Sequence, residues 1–242
     1  KVVRAKKKSF RNVLLWVRDH YLETAAWLFI IFYWGYSMRS SLNIGVRHLM
    51  PTLPFIYILV AKEIVHWLEF KEYADPHTWY GFLKTIYQIY VKSIPKYLVL
   101  GVLLIWLISG TLSAFPHFLS YYNELAGGTD NGYLYAVDSN YDWGQDLRRL
   151  KIFVEENNIQ KIAVDYFGGG NPRYYLGDRF EPWRSAKGPP RGYFAISATF
   201  QMDAWGETAP GFVRKLEDSY QWLKLREPEA RAGKSIFIYR LP

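Results

Sequence analysis

Tyr133-Leu-Tyr-Ala-Val-Asp-Ser-Asn-Tyr-Asp-Trp-Gly-Gln-Asp146 lies just past the last long apolar run and opens a water-soluble half of the chain. Tyr133–Val137 is short, aromatic and β-branched, which predicts a strand. Asp142 followed by Gln145 has the spacing of a capping box and predicts a helix running on through Leu147, Leu150 and Phe153. Between them, Asp138, Asn140, Asp142 and Asp146 gather around Trp143 at a strand end, where open α/β sheets tend to place ligands. The ordinary reading of such a turn is architectural. Asp and Asn bond nearby backbone N–H groups, and Gly144 eases the bend. A calcium loop is disfavoured. Asp138, Asn140 and Asp142 have the first three ligand positions, but Trp143 stands where Gly is needed and Arg149 where Glu is needed.

Upstream of this turn the chain is apolar and basic. Of its 242 residues half are hydrophobic and 19% aromatic, and the formal net charge is +8. The Trp and Tyr gather near the apolar runs, as in membrane-interface belts. The absence of Cys excludes a disulfide framework and a thiolate metal site. The chain begins at Lys1 with no signal-peptide pattern, and it reads as a fragment of something longer.

Residues 1–20 form a basic flank with Lys1, Arg4, Lys6, Lys7, Lys8, Arg11 and Arg18. The uncharged Thr24–Met38, extended by Tyr21 and Leu22, predicts a first span over 21–38, close to the shortest stretch that crosses a bilayer. A basic flank before it predicts a cytoplasmic N-terminus. Leu49–Ala61 is short, but with Asn43–Val46 added outside and Lys62 snorkelling inside it predicts a second span over 44–62. Trp79, Leu83, Ile86, Tyr87 and Tyr90 recur at helical spacing and predict an interfacial helix over 77–93. Tyr97–Phe115 carries no charge and gives the clearest span, 97–115. Three spans with the N-terminus inside, closing a transmembrane part over 21–116, place residues 117–242 outside the cell's interior.

Beyond Pro116 strands and helices alternate. Lys161–Phe167, Tyr193–Phe200 and Ser235–Leu241 predict strands, and Phe212–Leu225 a short or broken helix. Gly168–Gly170 predicts a turn, with Asn171 as N-cap and Pro172 at the first helical position. The fold class expected is a membrane α-helical segment of about three spans followed by a small extracytoplasmic α/β domain with a largely parallel sheet.

Chemistry is sparse. The Gly168 run lacks the spacing of a phosphate-binding motif. The five His lie at or before residue 117, none at metal-ligand spacing, so no metal site or Ser-His-Asp set is read. Arg47-His48 stands at the outer mouth of the second span, at the depth of lipid phosphates. A guanidinium there serves either as a bidentate phosphate ligand or as an interfacial anchor.

These residues carry a resemblance. Asn43-Ile-Gly-Val-Arg-His-Leu-Met-Pro-Thr-Leu-Pro54 resembles a segment of polytopic membrane glycosyltransferases of the GT-C class, related to protein O-mannosyltransferases (family 39) and to the lipid A aminoarabinose transferase. Leu119–Gly128, the turn Asp138–Leu147 and Arg226–Tyr239 resemble the C-terminal portion of bacterial and archaeal members. The resemblance implies transfer of a sugar from a polyprenyl-phosphate carrier to a protein, lipid or glycan acceptor on the outer membrane face, by an integral protein of the cell membrane. It implies donor-phosphate contact by Arg47 and His48, with Arg47 stabilising the leaving phosphate. Asp138, Asn140, Asp142, Trp143 and Gln145 are expected to contact an acceptor or glycan. No segment corresponds to the family's catalytic acidic residue, so no catalytic residue is assigned and the chain alone is expected to be inactive. No cofactor is expected, and the need for a divalent metal stays open. The alternative is a non-enzymatic, membrane-anchored domain that binds ligands or organises an assembly. A nucleic-acid partner is excluded, because the basic residues crowd around apolar runs too long for loops.

Overall fold

The computed structural model describes residues 10–40, 45–69, 77–138, 140–208, 213–215, 217 and 219–242. Residues 1–9 of the basic flank, the outer extension over 41–44, Ser139 and parts of 209–218 lie outside the described residues. Internal contacts divide the chain into two units, Lys1–Ile105 and Trp106–Pro242.

The first unit is helical. Helix α1 covers Phe10–Asp19, α2 Tyr21–Arg39 and α3 Leu53–Leu68, with a 3₁₀ turn over Gly45–Thr52 leading into α3. Pro54 sits at the start of α3, where a missing N–H costs nothing. Ala26 and Ile30 of α2 pack on Ile56 and Leu59 of α3, and Phe29 meets Phe55 at 5.1 Å between ring centroids. An ion pair between Glu23 and Lys62 joins the same two helices.

Helix α4, Trp79–Ile86, begins where the Thr78 side chain accepts from the Gly81 N–H at 3.0 Å. It does not stop before α5, Ile94–Ser113. A π-helical stretch over Tyr87–Ser93 joins the two. Pro95 explains the widening: it has no N–H to donate and its ring crowds the carbonyl one turn back. The expected interfacial helix over 77–93 is therefore continuous with the expected span over 97–115. Two helical runs, Val46–Leu68 and Trp79–Ser113, are long and apolar enough to cross a membrane. The expected span 21–38 is a helix, but one rich in Trp and Tyr and carrying Glu23, and it is not one of these two runs. The side chains of α5 face outward: Leu98, Val102, Leu104 and Leu107 are all about half exposed or more.

The second unit is an α/β layer structure. Short helix α6, Gly128–Asn131, lies in an irregular entry segment, followed by α7, Leu147–Glu156. Then come β1 (Ile162–Asp165), α8 (Pro172–Leu176), β2 (Phe180–Pro182), β3 (Gly192–Ser197), α9 (Ala198–Trp205), β4 (Ala230–Ala232) and β5 (Ile236–Leu241). The strand order is β2-β1-β3-β5-β4. Strand β1 runs parallel to both β2 and β3, whereas β5 is antiparallel to β3 and to β4. The sheet is thus mixed rather than largely parallel. The tight turn at Gly233, with φ +64°, folds β4 back on β5 as a hairpin, and a hairpin can only be antiparallel.

Alternation along the central strands separates two cores. Phe194, Ile196, Phe237 and Tyr239 face Tyr141, Tyr220 and Leu223. Ala195, Ile236 and Ile238 face Leu147, Leu150 and Val154 of α7 and Leu176 of α8. Asn171 caps α8 by accepting from the Arg173 N–H at 3.0 Å, with Pro172 next, as the sequence predicts. Two expectations hold in part. Tyr193–Ser197 lies in β3, but Ala198–Phe200 turns into α9, and the described part of Phe212–Leu225 shows 3₁₀ geometry, with a turn at Gln221–Leu223, rather than an α-helix.

Candidate functional site

Tyr133–Val137 is not a strand. Gly132–Leu134 is a 3₁₀ turn, and the Val137 carbonyl accepts from the N–H groups of both Tyr141 and Asp142 at 3.0 Å. Alternation of Tyr and Val here serves packing: Tyr133 meets Tyr141 and Phe237 at centroid distances of 5.9 and 5.0 Å. Nor is Asp142 a helix cap. The N-cap of α7 is Asp146.

The turn's polar residues divide by role. Asp142 is fully buried, with Oδ1 accepting from the Gly144 N–H at 3.0 Å and Oδ2 from the Thr199 N–H at 3.2 Å. Burial raises its pKa against the pull of these donors. Gln145 accepts from the Trp143 N–H at 2.7 Å and donates to Ser120 and to the Tyr141 carbonyl at 2.9 and 3.1 Å. Asp146, also fully buried, accepts from Arg149 at 2.6 Å and from the backbone of Lys234 and Ser235 at 2.8 and 2.9 Å. The polar atoms of Asp142 and Gln145, expected to meet an acceptor or glycan, are engaged within the domain. Asn140 is half-buried and bonds the Asp138 carbonyl, leaving Asp138 and Trp143 as the exposed members.

Arg47 and His48 lie on the 3₁₀ turn of the helical unit. That turn is fixed to α2 by the Trp34 indole, which donates to the Thr52 hydroxyl at 3.1 Å, and by Tyr33, 5.7 Å from the His48 ring. Arg47 is exposed; His48 is half-buried, and its Nε2 has no hydrogen-bond partner among the described residues.

A cleft that no sequence motif announces lies in the α/β unit. It has a volume of about 740 Å³ and is lined by Asp165, Arg184, Phe200, Asp203 and Tyr220, among others. Asp165 closes β1. It is 4% exposed, pairs with Arg184 at 3.2 Å and accepts a short hydrogen bond from the Tyr220 hydroxyl. Burial raises the pKa of Asp165, although Tyr220 and Arg184 pull the other way. The Arg184 guanidinium lies 5.1 Å from the centre of the Phe200 ring. Asp203, at the rim, is also pushed upward, by desolvation and by the charge of Asp138. That coupling brings Asp138, on the predicted turn, within electrostatic reach of the cleft. The signal available in sequence was an Asp ending the apolar run Ile-Ala-Val, which is weak on its own.

Among the described residues no group of His, Asp or Glu is arranged to hold a metal ion. No family model matches the chain, and neither curated proteins nor solved structures yield a match.

Proposed function

We propose that the chain is part of a membrane glycosyltransferase that moves a sugar from a polyprenyl-phosphate carrier to a protein, lipid or glycan acceptor. On this reading Tyr21–Arg39 joins the two long apolar runs as a third span, and the α/β unit faces outward from the cell membrane. The outward-facing apolar side chains of α5 support a lipid surround, since so continuous an apolar exterior is unfavourable in water.

The observation that carries the reading is the placement of Arg47. An exposed guanidinium stands at the entry to an apolar helical run, on a turn tethered by Trp34 and Thr52 and beside a histidine ring. A guanidinium in that setting suits the phosphate of a lipid-linked sugar, because a neighbouring low dielectric strengthens a charge-assisted, bidentate contact. His48 provides a second nitrogen one residue away.

The test is binding of a radiolabelled polyprenyl phosphate to the full chain in lipid nanodiscs, compared with Arg47→Ala. Loss of one charge-assisted contact predicts a drop of about tenfold or more. Equal binding by both proteins, or none by either, overturns the donor-site assignment. Binding that no enzyme containing this chain converts into transfer would favour the anchored, non-catalytic alternative.

A further inference from the structure

We propose that the cleft beside Asp165, Arg184 and Phe200 is a binding site for an uncharged saccharide. Its position follows from topology. From β1 the chain passes outward through α8 to β2, then crosses back to β3 on the other side of β1. The carboxyl ends of the parallel neighbours β1 and β3 therefore flank a point where the strand order reverses, the crevice in which open α/β sheets hold ligands. Asp165 is the last residue of β1, and Phe200 lies in the first turn of α9, directly after β3.

The lining chooses the ligand class. Three acids, Asp165, Asp203 and Glu207, are balanced by three bases, Arg184, Arg214 and Lys215. Such a wall offers no excess positive charge to hold a phosphate, and its carboxylates would repel one. Vicinal hydroxyls suit it better, since each donates to a carboxylate while accepting from a guanidinium. Phe200 supplies an apolar ring for the C–H face of a pyranose, and Asp165 is locked by Tyr220 and Arg184 so that it presents one fixed geometry. The volume, about 740 Å³, is in the range that encloses small ligands. This inference goes beyond the transferase reading, because an anchored glycan-binding module would carry the same cleft.

The experiment uses the full chain in nanodiscs, free of sugar-based detergent. Gluco-, manno- and galacto-configured disaccharides are titrated by calorimetry, with glucuronic acid and inorganic phosphate as charged probes. At least one neutral disaccharide is expected to bind, and its addition to slow amide hydrogen exchange over 198–204. Phe200→Ala and Asp203→Asn are each expected to weaken it about tenfold, and Phe200→Tyr to retain it. Hydrogen exchange on the unaltered chain decides the matter if the variants misfold. Absence of neutral-sugar binding, preference for the charged probes, or binding without protection at 198–204 overturns the proposal. Polyprenyl-phosphate binding at Arg47 is scored separately, so either assignment can fail alone.

Discussion

Asp146 and Ser235 are joined by two hydrogen bonds: Asp146 Oδ2 accepts from the Ser235 N–H at 2.9 Å and from its hydroxyl at 3.0 Å. The same oxygen takes the Lys234 N–H at 2.8 Å, so one buried carboxylate pins the start of α7 to the β4–β5 turn. Asp146→Ala would leave these donors buried and unanswered. We expect it to lower the stability of the α/β unit by about 3–5 kcal/mol. Glu155→Ala, which breaks only the exposed pair to Lys151 at 3.7 Å, should change it by less than about 0.5 kcal/mol. Chemical denaturation followed by tryptophan fluorescence measures both.

Gly144 adopts φ +74°, and a Cβ there would lie 2.4 Å from the Tyr166 hydroxyl and 2.7 Å from the Phe167 carbonyl. The backbone atom has little room to yield, so Gly144→Ala should cost about 3 kcal/mol from strain and crowding together. Gly169 has nothing within 4 Å of the same position, and Gly169→Ala should be near neutral. A thermal shift no larger at Gly144 than at Gly169 would contradict this account.

Asp142 and Trp143 are adjacent in sequence and opposite in role. Asp142→Ala releases the N–H groups of Gly144 and Thr199 in the interior and should destabilise the unit by about 2–4 kcal/mol. Trp143, 43% exposed, should tolerate Ala at a cost below about 1 kcal/mol. Any loss of glycan binding in Trp143→Ala with an intact fold would then report contact, whereas the same loss in Asp142→Ala would report collapse.

His117 has its pKa held below 6.5, first by desolvation and then by the charge of Arg149. The folded chain therefore binds this proton less readily than the unfolded chain. The associated stability is fully present above pH 6.5 and is lost as the pH falls toward the folded-state value. The melting midpoint should decline on acidification below pH 6.5, and His117→Gln should flatten part of that slope. An unchanged profile in His117→Gln assigns the decline to other groups.

The strands Ile162–Asp165 and Ile236–Leu241 were legible because each is a β-branched or aromatic run bounded by turn residues. Asn171-Pro172 was legible because capping chemistry is local. The turn at 133–146 was half legible: its importance showed in its density of polar side chains, but its form did not. Tyr133 and Val137 obey the spacing of a strand while their side chains pack into the core around Tyr141 and Phe237. The cleft was not legible. Asp165, Arg184 and Phe200 come from three separate segments, and only the crossing of β3 past β1 brings them together. The antiparallel half of the sheet depends on Gly233, whose neighbours Ala232 and Lys234 carry no strong hairpin signature.

Strand β5 lies in the interior of the sheet, between β3 and β4, although it comes last in chain order of the five. While the nascent chain is still on the ribosome, β3 presents a bare hydrogen-bonding edge with Phe194 and Ile196 beside it, and Asp146 has no Ser235 to grip. Closure of the unit must wait for residues 236–241 to emerge. An internal deletion of residues 236–241 would therefore leave an open, aggregation-prone edge on β3 rather than a slightly shortened domain.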